Sequence, residues 1–301
     1  MQPISTQRIL IDQPLKTDVI AKLASAIALQ PNFDTATLFY IDSVLQWRRE
    51  IGFFNHVFSS YARNMVVAYI CFLHFANPTG KPEDGATYSR VWEIVDRRKD
   101  CGSRALRTFL TLATLAGYFI RDQSKDDKRV FAYVPSPKLL AQSSHHFTYA
   151  ISCFDILLGT DVHAKTAHAN PRFHEDVMAS SGAATLKYDI AFAEPIPHGL
   201  AILNQTGGLA TMVSLARAQI ANSAMPTAHS IAKSYKVSAT QARNVMNYMR
   251  DHKLIMTHNE GGVLSAAPIA EIFRWFLSRE LALYAKYTLG LEQHFMQGVK
   301  I

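Results

Sequence analysis

The chain has 301 residues, 49% of them hydrophobic and 18% charged, against about 25% charged in an average soluble protein, which excludes intrinsic disorder as its main state. Thirty-one Lys and Arg against 24 Asp and Glu give a net charge of +7, so polyanions such as nucleic acid are admissible partners. The best apolar run, residues 65–75, falls short of the ~20 residues a membrane-spanning helix needs, so no membrane partner is expected.

The opening MQPISTQRILIDQP has no basic stretch followed by an apolar core, so no secretory signal is expected. Apolar side chains three and four apart predict helices over residues 17–29 (Val19, Leu23, Ile27) and 34–50 (Leu38, Ile41, Leu45), punctuated by Pro31 and Gly52. A third helix is predicted over 54–75, stopping at the loop NPTGKPEDG, whose prolines and glycines cannot continue it.

Next comes YSRVWEIVDRR as a short helix, then a turn carrying Gly102. A longer helix follows, with Leu106, Phe109, Leu110, Ala113 and Ala116 inward and Arg104, Arg107, Thr108 and Thr111 outward. Two β-branched and aromatic strands around the polar turn RDQSKDDKR complete a hairpin. Residues 135–197 carry helical patches at 138–158 and 173–192, broken by Pro171, Pro195 and Pro197, with a domain boundary expected at 164–170.

A similar order recurs after a helix predicted over 200–222. SIAKSYKVSATQARNVM reads as short helix, turn and longer helix, and a small hairpin follows around Asn259, Glu260, Gly261 and Gly262. Ser238 with Gln241 three residues on has the spacing of a capping box. Ala242, Val245, Met246 and Met249 then point inward, leaving Thr240, Gln241, Arg243, Asn244 and Asn247 exposed. Sliding one block over the other by about 136 residues matches Phe109 with Val245, Ala113 with Met249 and Tyr118 with Leu254. The expected organisation is an N-terminal helical segment (1–52) for packing or dimerisation, then units at 53–165 and 166–301.

A helix that reads DNA needs a bracing helix, a cap fixing its start, and exposed polar side chains that reach base edges and phosphates. IAKSYKVS, TQARNVM and KLI supply these and resemble the bracing helix, turn, recognition helix and strand entry of the winged helix-turn-helix transcription regulators. Ala232 falls where the two helices approach, Val237 is the apolar turn residue, and Lys236 stands where many relatives have glycine. The first block, RALRTFLTLATLAGYFIRD with its charged turn, is similar to the recognition helix and wing of the multiple-antibiotic-resistance (MarR-like) regulators. The resemblance implies a mainly α fold with small β-hairpin wings, two such units in one chain joined by helices. It also implies a bacterial, cytoplasmic regulator that binds double-stranded DNA without a cofactor, and a pocket for a small-molecule effector whose place the sequence does not locate.

Between residues 85 and 140 eleven basic residues face six acidic ones, most of the chain's excess charge. The DNA-contacting set expected in the first unit is Arg98, Lys99, Ser103, Arg104, Arg107, Thr108, Thr111, Arg121, Lys125, Lys128 and Arg129. In the second it is Ser238, Thr240, Gln241, Arg243, Asn244 and Asn247. By that analogy Lys125, Lys128 and Arg129 lie at the wing, Arg104 and Arg107 suit guanine, and Gln241 or Asn244 suits adenine. The NEGG hairpin carries no basic side chain and is expected to add little. Both recognition helices would enter successive major grooves about 34 Å apart. A plasmid-type replication initiator with tandem winged helices and a protein-interaction scaffold remain as alternatives.

Other features read as structural. Of the twelve histidines, His145, His146, His163, His168 and His174 invite a metal, but none forms HExxH, and His145 and His146 diverge by about 100° on one helix, so no metal is expected. Cys101, near Lys99 and Arg104, is a conceivable redox thiol, with an incidental thiol the expected reading. Gly207 and Gly208 suit close helix packing or a kink. No nucleophile elbow, phosphate loop or dinucleotide fingerprint marks an enzyme. The aromatic residues near both ends, among them Phe39, Tyr40, Trp47, Phe53, Phe54, Trp275 and Tyr284, suggest that the terminal helices pack on one another or form a homodimer interface.

Overall fold

A computed structural model describes residues 19–51, 57–58, 60–193, 195–258 and 262–297. Among them the protein is mainly helical, with two small antiparallel two-stranded sheets. Helices α1 (Ala21–Ala28) and α2 (Phe33–Glu50) follow the expected apolar stripes, α2 burying Ala36, Tyr40, Ile41, Val44 and Leu45. Helix α3 (Tyr61–Phe75) starts later than its periodicity predicted. Ser60 is extended and its hydroxyl accepts from the Arg63 N–H, a cap that begins a new helix at Tyr61. The expected start at 54 lies outside the described residues.

The first block forms α4 (Tyr88–Arg98), α5 (Ser103–Leu115) and the hairpin β1 (Phe119–Gln123) and β2 (Phe131–Pro135), with Phe119 opposite Pro135. Thr87 caps α4 and also bridges Ala132, so the chain entering α4 lies along the hairpin. Helices α6 (Pro137–Leu158), α7 (Val162–Ala169) and α8 (Phe173–Lys187) follow. The boundary expected at 164–170 falls on α7 and the turn after it, and one buried core runs continuously through residues on both sides.

The single helix predicted over 200–222 is two, α9 (Gly199–Leu203) and α10 (Gly208–Ile220). Gly207 sits between them at φ +80°, a left-handed conformation that favours glycine, and a Cβ on Gly208 would lie 1.8 Å from the Ile202 carbonyl oxygen. The second block then forms α11 (Ala228–Tyr235), α12 (Ala239–Asp251) and the hairpin β3 (Met256–Thr257) and β4 (Val263–Ser265). Of its predicted turn, Asn259, Glu260 and Gly261 lie outside the described residues. Helix α13 (Ala267–Tyr284), a π-helical turn (Ala285–Leu289) and α14 (Glu292–Met296) complete the fold.

The two blocks agree position by position. Helices α5 and α12 each have 13 residues, and both ends are 136 residues apart. Their buried positions coincide at that offset: Leu106 with Ala242, Phe109 with Val245, Leu110 with Met246, and Ala113 with Met249. Both short helices end on a lysine in the left-handed region, Lys99 at φ 58° and Lys236 at φ 54°. The second turn is one residue shorter, which puts Arg98 and Tyr235 at the same place in their helices.

Helix α13 is the centre of the molecule, packing on α1, α6, α8 and α10. Ile269, Phe273, Leu277 and Leu281 are buried there, each contributing about 1.5–3 kcal/mol by leaving water. The aromatic residues of the terminal helices thus pack within the chain, with Tyr40 6.2 Å from Phe273 and Phe147 5.8 Å from Tyr284 between ring centres; Phe53 and Phe54 lie outside the described residues.

Two charged residues are buried within α13. The Arg279 guanidinium donates to the Ala191 carbonyl through Nε (3.0 Å) and a terminal nitrogen. The Glu280 carboxylate accepts from His146 Nε2 (2.7 Å), Tyr40 hydroxyl (3.0 Å) and Tyr284 hydroxyl (3.1 Å). Burial works to raise the Glu280 pKa, but the His146 charge and these hydrogen bonds together hold it below the usual glutamate range. Burial and the carboxylate push both phenols well above theirs, so they remain donors.

Two stability measurements test this arrangement. Gly208→Ala forces a methyl into the Ile202 carbonyl and is expected to lower unfolding stability by about 2–3 kcal/mol in denaturant melts, whereas Gly80→Ala, with open space around it, stays near the ~1 kcal/mol of a left-handed alanine. A depressed carboxyl pKa stabilises the fold above the ordinary glutamate range, and that contribution disappears as pH falls through the folded-state value. Glu280→Gln should therefore lower stability by about 3 kcal/mol at neutral pH. The gap should narrow on acidification, and a gap independent of pH would contradict the ionised pair.

Candidate functional site

The exposed faces of α5 and α12 carry eight of the expected residues. On α5, Ser103, Arg104, Arg107, Thr108 and Thr111 are all exposed, because the 3.6-residue period turns them away from Leu106, Phe109, Leu110 and Ala113. Arg107 lies over the Tyr88 ring, 5.2 Å from its centre, and its Nε donates to the Tyr88 hydroxyl at 3.2 Å. Thr108 returns its hydroxyl to the Arg104 carbonyl.

The hairpin beside α5 presents Arg121, Lys125, Lys128 and Arg129, all exposed. Its turn is shaped by buried Ser124, whose hydroxyl accepts from the backbone N–H groups of Asp126 and Asp127. Arg121 lies 4.7 Å from the Phe131 ring centre, while Arg129 pairs with Asp127 through Nε (3.1 Å) and a terminal nitrogen (2.9 Å). That pair raises the arginine pKa and lowers the aspartate's. Among the described residues, Arg121, Lys125 and Lys128 make no such ion pair. Lys99 is exposed in the turn, 3.4 Å from Asp96.

Arg98 belongs elsewhere. Its side chain is 4% exposed, donates to Asp189 at 2.6 Å and to the Ile190 carbonyl at 3.2 Å, and lies 6.0 Å from the Tyr69 ring centre. It ties the first block to the helical body, the place that Tyr235 fills in the second block with a buried ring. Cys101 is half-buried, and burial together with Asp100 raises its thiol pKa, against a weaker pull from Arg63. Its surroundings therefore favour the inert thiol.

On α12, Thr240, Arg243 and Asn244 are exposed as expected. Ser238 and Gln241 form the capping box, with the Ser238 hydroxyl accepting from Gln241 N–H (3.0 Å) and Gln241 Oε1 from Ser238 N–H (2.9 Å). The Gln241 side chain is thus half-buried and already engaged at its carbonyl oxygen, so it is a poor partner for adenine. Asn247 is half-buried too, accepting from Arg250 at 2.7 Å.

At the 136-residue offset the exposed positions also correspond: Arg104 with Thr240, Arg107 with Arg243, and Thr108 with Asn244, while exposed Thr111 meets half-buried Asn247. The second block has its own positive charge, which the sequence reading passed over. Residues 228–253 carry Lys233, Lys236, Arg243, Arg250 and Lys253, all exposed, against Asp251 alone. A charge count restricted to that window finds them.

A cavity of about 300 Å³ lies among α2, α3, α6, α8, α10 and α13 and reaches the turn at Lys236 and Val237. Its wall is mostly aromatic and aliphatic, with Arg48, His146 and Glu280 among its ionisable groups. Burial draws the Arg48 pKa down to about 10, with the Tyr40 oxygen acting the other way. The sequence held no signal for this cavity, because its lining comes from helices hundreds of residues apart. Among the described residues no three His, Cys, Asp or Glu side chains gather closely enough to hold a metal, and no helix is long and apolar enough to cross a membrane.

Compared with known proteins, the chain matches no family model, no characterised protein and no solved structure.

Proposed function

We propose that the chain is a sequence-reading, double-stranded DNA-binding regulator built from two winged helix-turn-helix units, with α5 and α12 as recognition helices and the hairpins as wings. The observation that carries this reading is the repeat itself. Two helices of equal length share their buried positions and present corresponding polar faces, each with an arginine one turn in, Arg107 and Arg243. A bracing helix, a left-handed turn and a hairpin accompany each face. Around both faces basic residues outnumber acidic ones, which suits phosphate contact and strong salt dependence.

Within this reading Arg104, Arg107, Arg243 and Asn244 contact base edges, since an arginine suits guanine and an asparagine adenine. Lys125, Lys128, Arg121, Lys233 and Lys236 contact phosphate. Arg98, Ser238 and Gln241 act through structure, as an anchor and a cap. A single chain then reads two half-sites.

A second reading, a protein-interaction module, draws on exposed apolar residues at the end of α5 and on the hairpins. Leu115 is 82% exposed, Ile120 51%, and Met256 64%, with Ile120 and Met256 at the same offset position.

Selection from randomised duplex DNA at low and physiological salt separates these. The expected outcome is a bipartite motif, one half lost in Arg107→Ala and the other in Arg243→Ala, each change weakening binding by about tenfold or more. Lys187→Ala, exposed on α8, should leave affinity within about twofold. Lys128→Ala should reduce the slope of log affinity against log salt by about one without altering the motif. No duplex binding even at low salt would move the assignment to the protein-interaction module, and iterated sites in place of one bipartite site would indicate an initiator.

A further inference from the structure

The cavity has a size, a lining and a sense of charge that together define a ligand class. Its volume of about 300 Å³ stands at the lower end of the ~300–1,000 Å³ typical of pockets for small organic molecules. Trp47, Phe72, Phe147 and Phe192 wall it, surfaces that pack flat rings or a hydrocarbon chain. Glu280 asks nothing of an occupant, because its carboxylate already accepts from His146, Tyr40 and Tyr284.

Arg48 does favour a particular occupant. It lines the same cavity, with its guanidinium carbon 5.9 Å from the Trp47 ring centre, in surroundings whose low polarity disfavours the charged form, and an anion beside it reverses that penalty. Arg48 has interactions of its own within the protein, and a planar fork of five N–H donors can add a carboxylate to them. Lys236, exposed in its left-handed turn and also on the cavity wall, adds positive potential.

We infer that this cavity binds an amphipathic organic anion, whose apolar body packs on the aromatic wall and whose single carboxylate pairs with Arg48. An occupant touches α3, which packs on hairpin strand β2 of the first block, and the Lys236–Val237 turn of the second. It therefore contacts supports of both blocks at once. Binding itself requires no DNA, so this inference and the DNA reading fail separately.

Fused-ring acids and medium-chain acyl acids share this chemistry, and calorimetric titration of the full chain distinguishes them. Naphthoate and decanoate are each compared with the uncharged alcohols naphthylmethanol and decanol. The expected result is saturable binding of one equivalent of at least one acid, with its alcohol about tenfold weaker or worse. Binding of naphthoate alone identifies the fused-ring source, and of decanoate alone the acyl source. Arg48→Met should remove the preference for acid over alcohol, and Ser143→Trp, filling the cavity from a half-buried site on α6, should abolish binding of both. If Arg48→Met does not fold, the wild-type comparison of acid with alcohol still decides. No binding of either acid at millimolar concentration, or equal affinity for acid and alcohol, overturns the inference.

Discussion

The carboxylate of Glu280 sits near the C-terminal end of α13, surrounded by side chains from α2 and α6, and it is tolerable there only because three donors converge on it. An ionised carboxylate in an apolar interior is unfavourable by several kcal/mol unless its oxygens are satisfied. His146 supplies a donor from α6, Tyr40 one from α2, and Tyr284 one from the next turn of α13 itself. These bonds fix the rotation of α13 and its distance from two other helices. One residue earlier, Arg279 reaches to the Ala191 carbonyl and holds the segment after α8. Adjacent residues of one buried helix thus orient three parts of the chain, and the cavity is the space left between them.

The two repeated blocks are attached to this centre by different physics. Arg98 fastens the first through a charged hydrogen bond to Asp189 and a second bond to a carbonyl, contacts with defined directions. At the same helical position the second block has Tyr235, a ring buried at the cavity wall with the Arg49 guanidinium 5.6 Å from its centre. Hydrophobic contact is largely non-directional, and the directed bonds of the second block lie elsewhere, between the Tyr248 hydroxyl and His198 (3.0 Å) and from Ser265 Oγ and the Ala266 N–H to Gln219 Oε1 (3.2 and 2.8 Å). The Asp189 backbone, at φ 48°, is itself bent into the left-handed region where it meets Arg98. Both attachments lie at the end of the short helix, just before the left-handed lysine, and each therefore sets the angle at which the following helix is presented.

Much of this organisation was legible in the sequence because it is local. The stripe Leu106, Phe109, Leu110, Ala113 and its echo Ala242, Val245, Met246, Met249 mark two helices directly, and Ser238 with Gln241 marks a cap that forms with both bonds in place. The same cap shows where local reading stopped short, since a glutamine that closes a box has spent its carbonyl and cannot stand as a fully available reader of bases. Arg98 was misplaced because charge alone argues for the surface, and its partner Asp189 lies 91 residues on. The break at Gly207 and Gly208 depends on one carbonyl approaching where a side chain would be, which periodicity does not register. In the Glu280 cluster only Tyr284, four residues on, is paired with it by spacing; Tyr40 lies 240 residues away, and nothing local points to it.

The packing of α1 on α13 has a consequence in time. These helices lie near opposite ends of the described chain, and the first cannot bury Leu23, Ala24 and Ile27 fully until the second exists. Contacts so distant in sequence slow folding, because the entropy of closing the intervening loop is lost before the contact is made. During synthesis the emerging polypeptide accordingly holds an unsealed apolar surface until α13 has been made. The body that orients the blocks therefore closes last, around a helix whose buried carboxylate must find its hydrogen-bond donors as it docks.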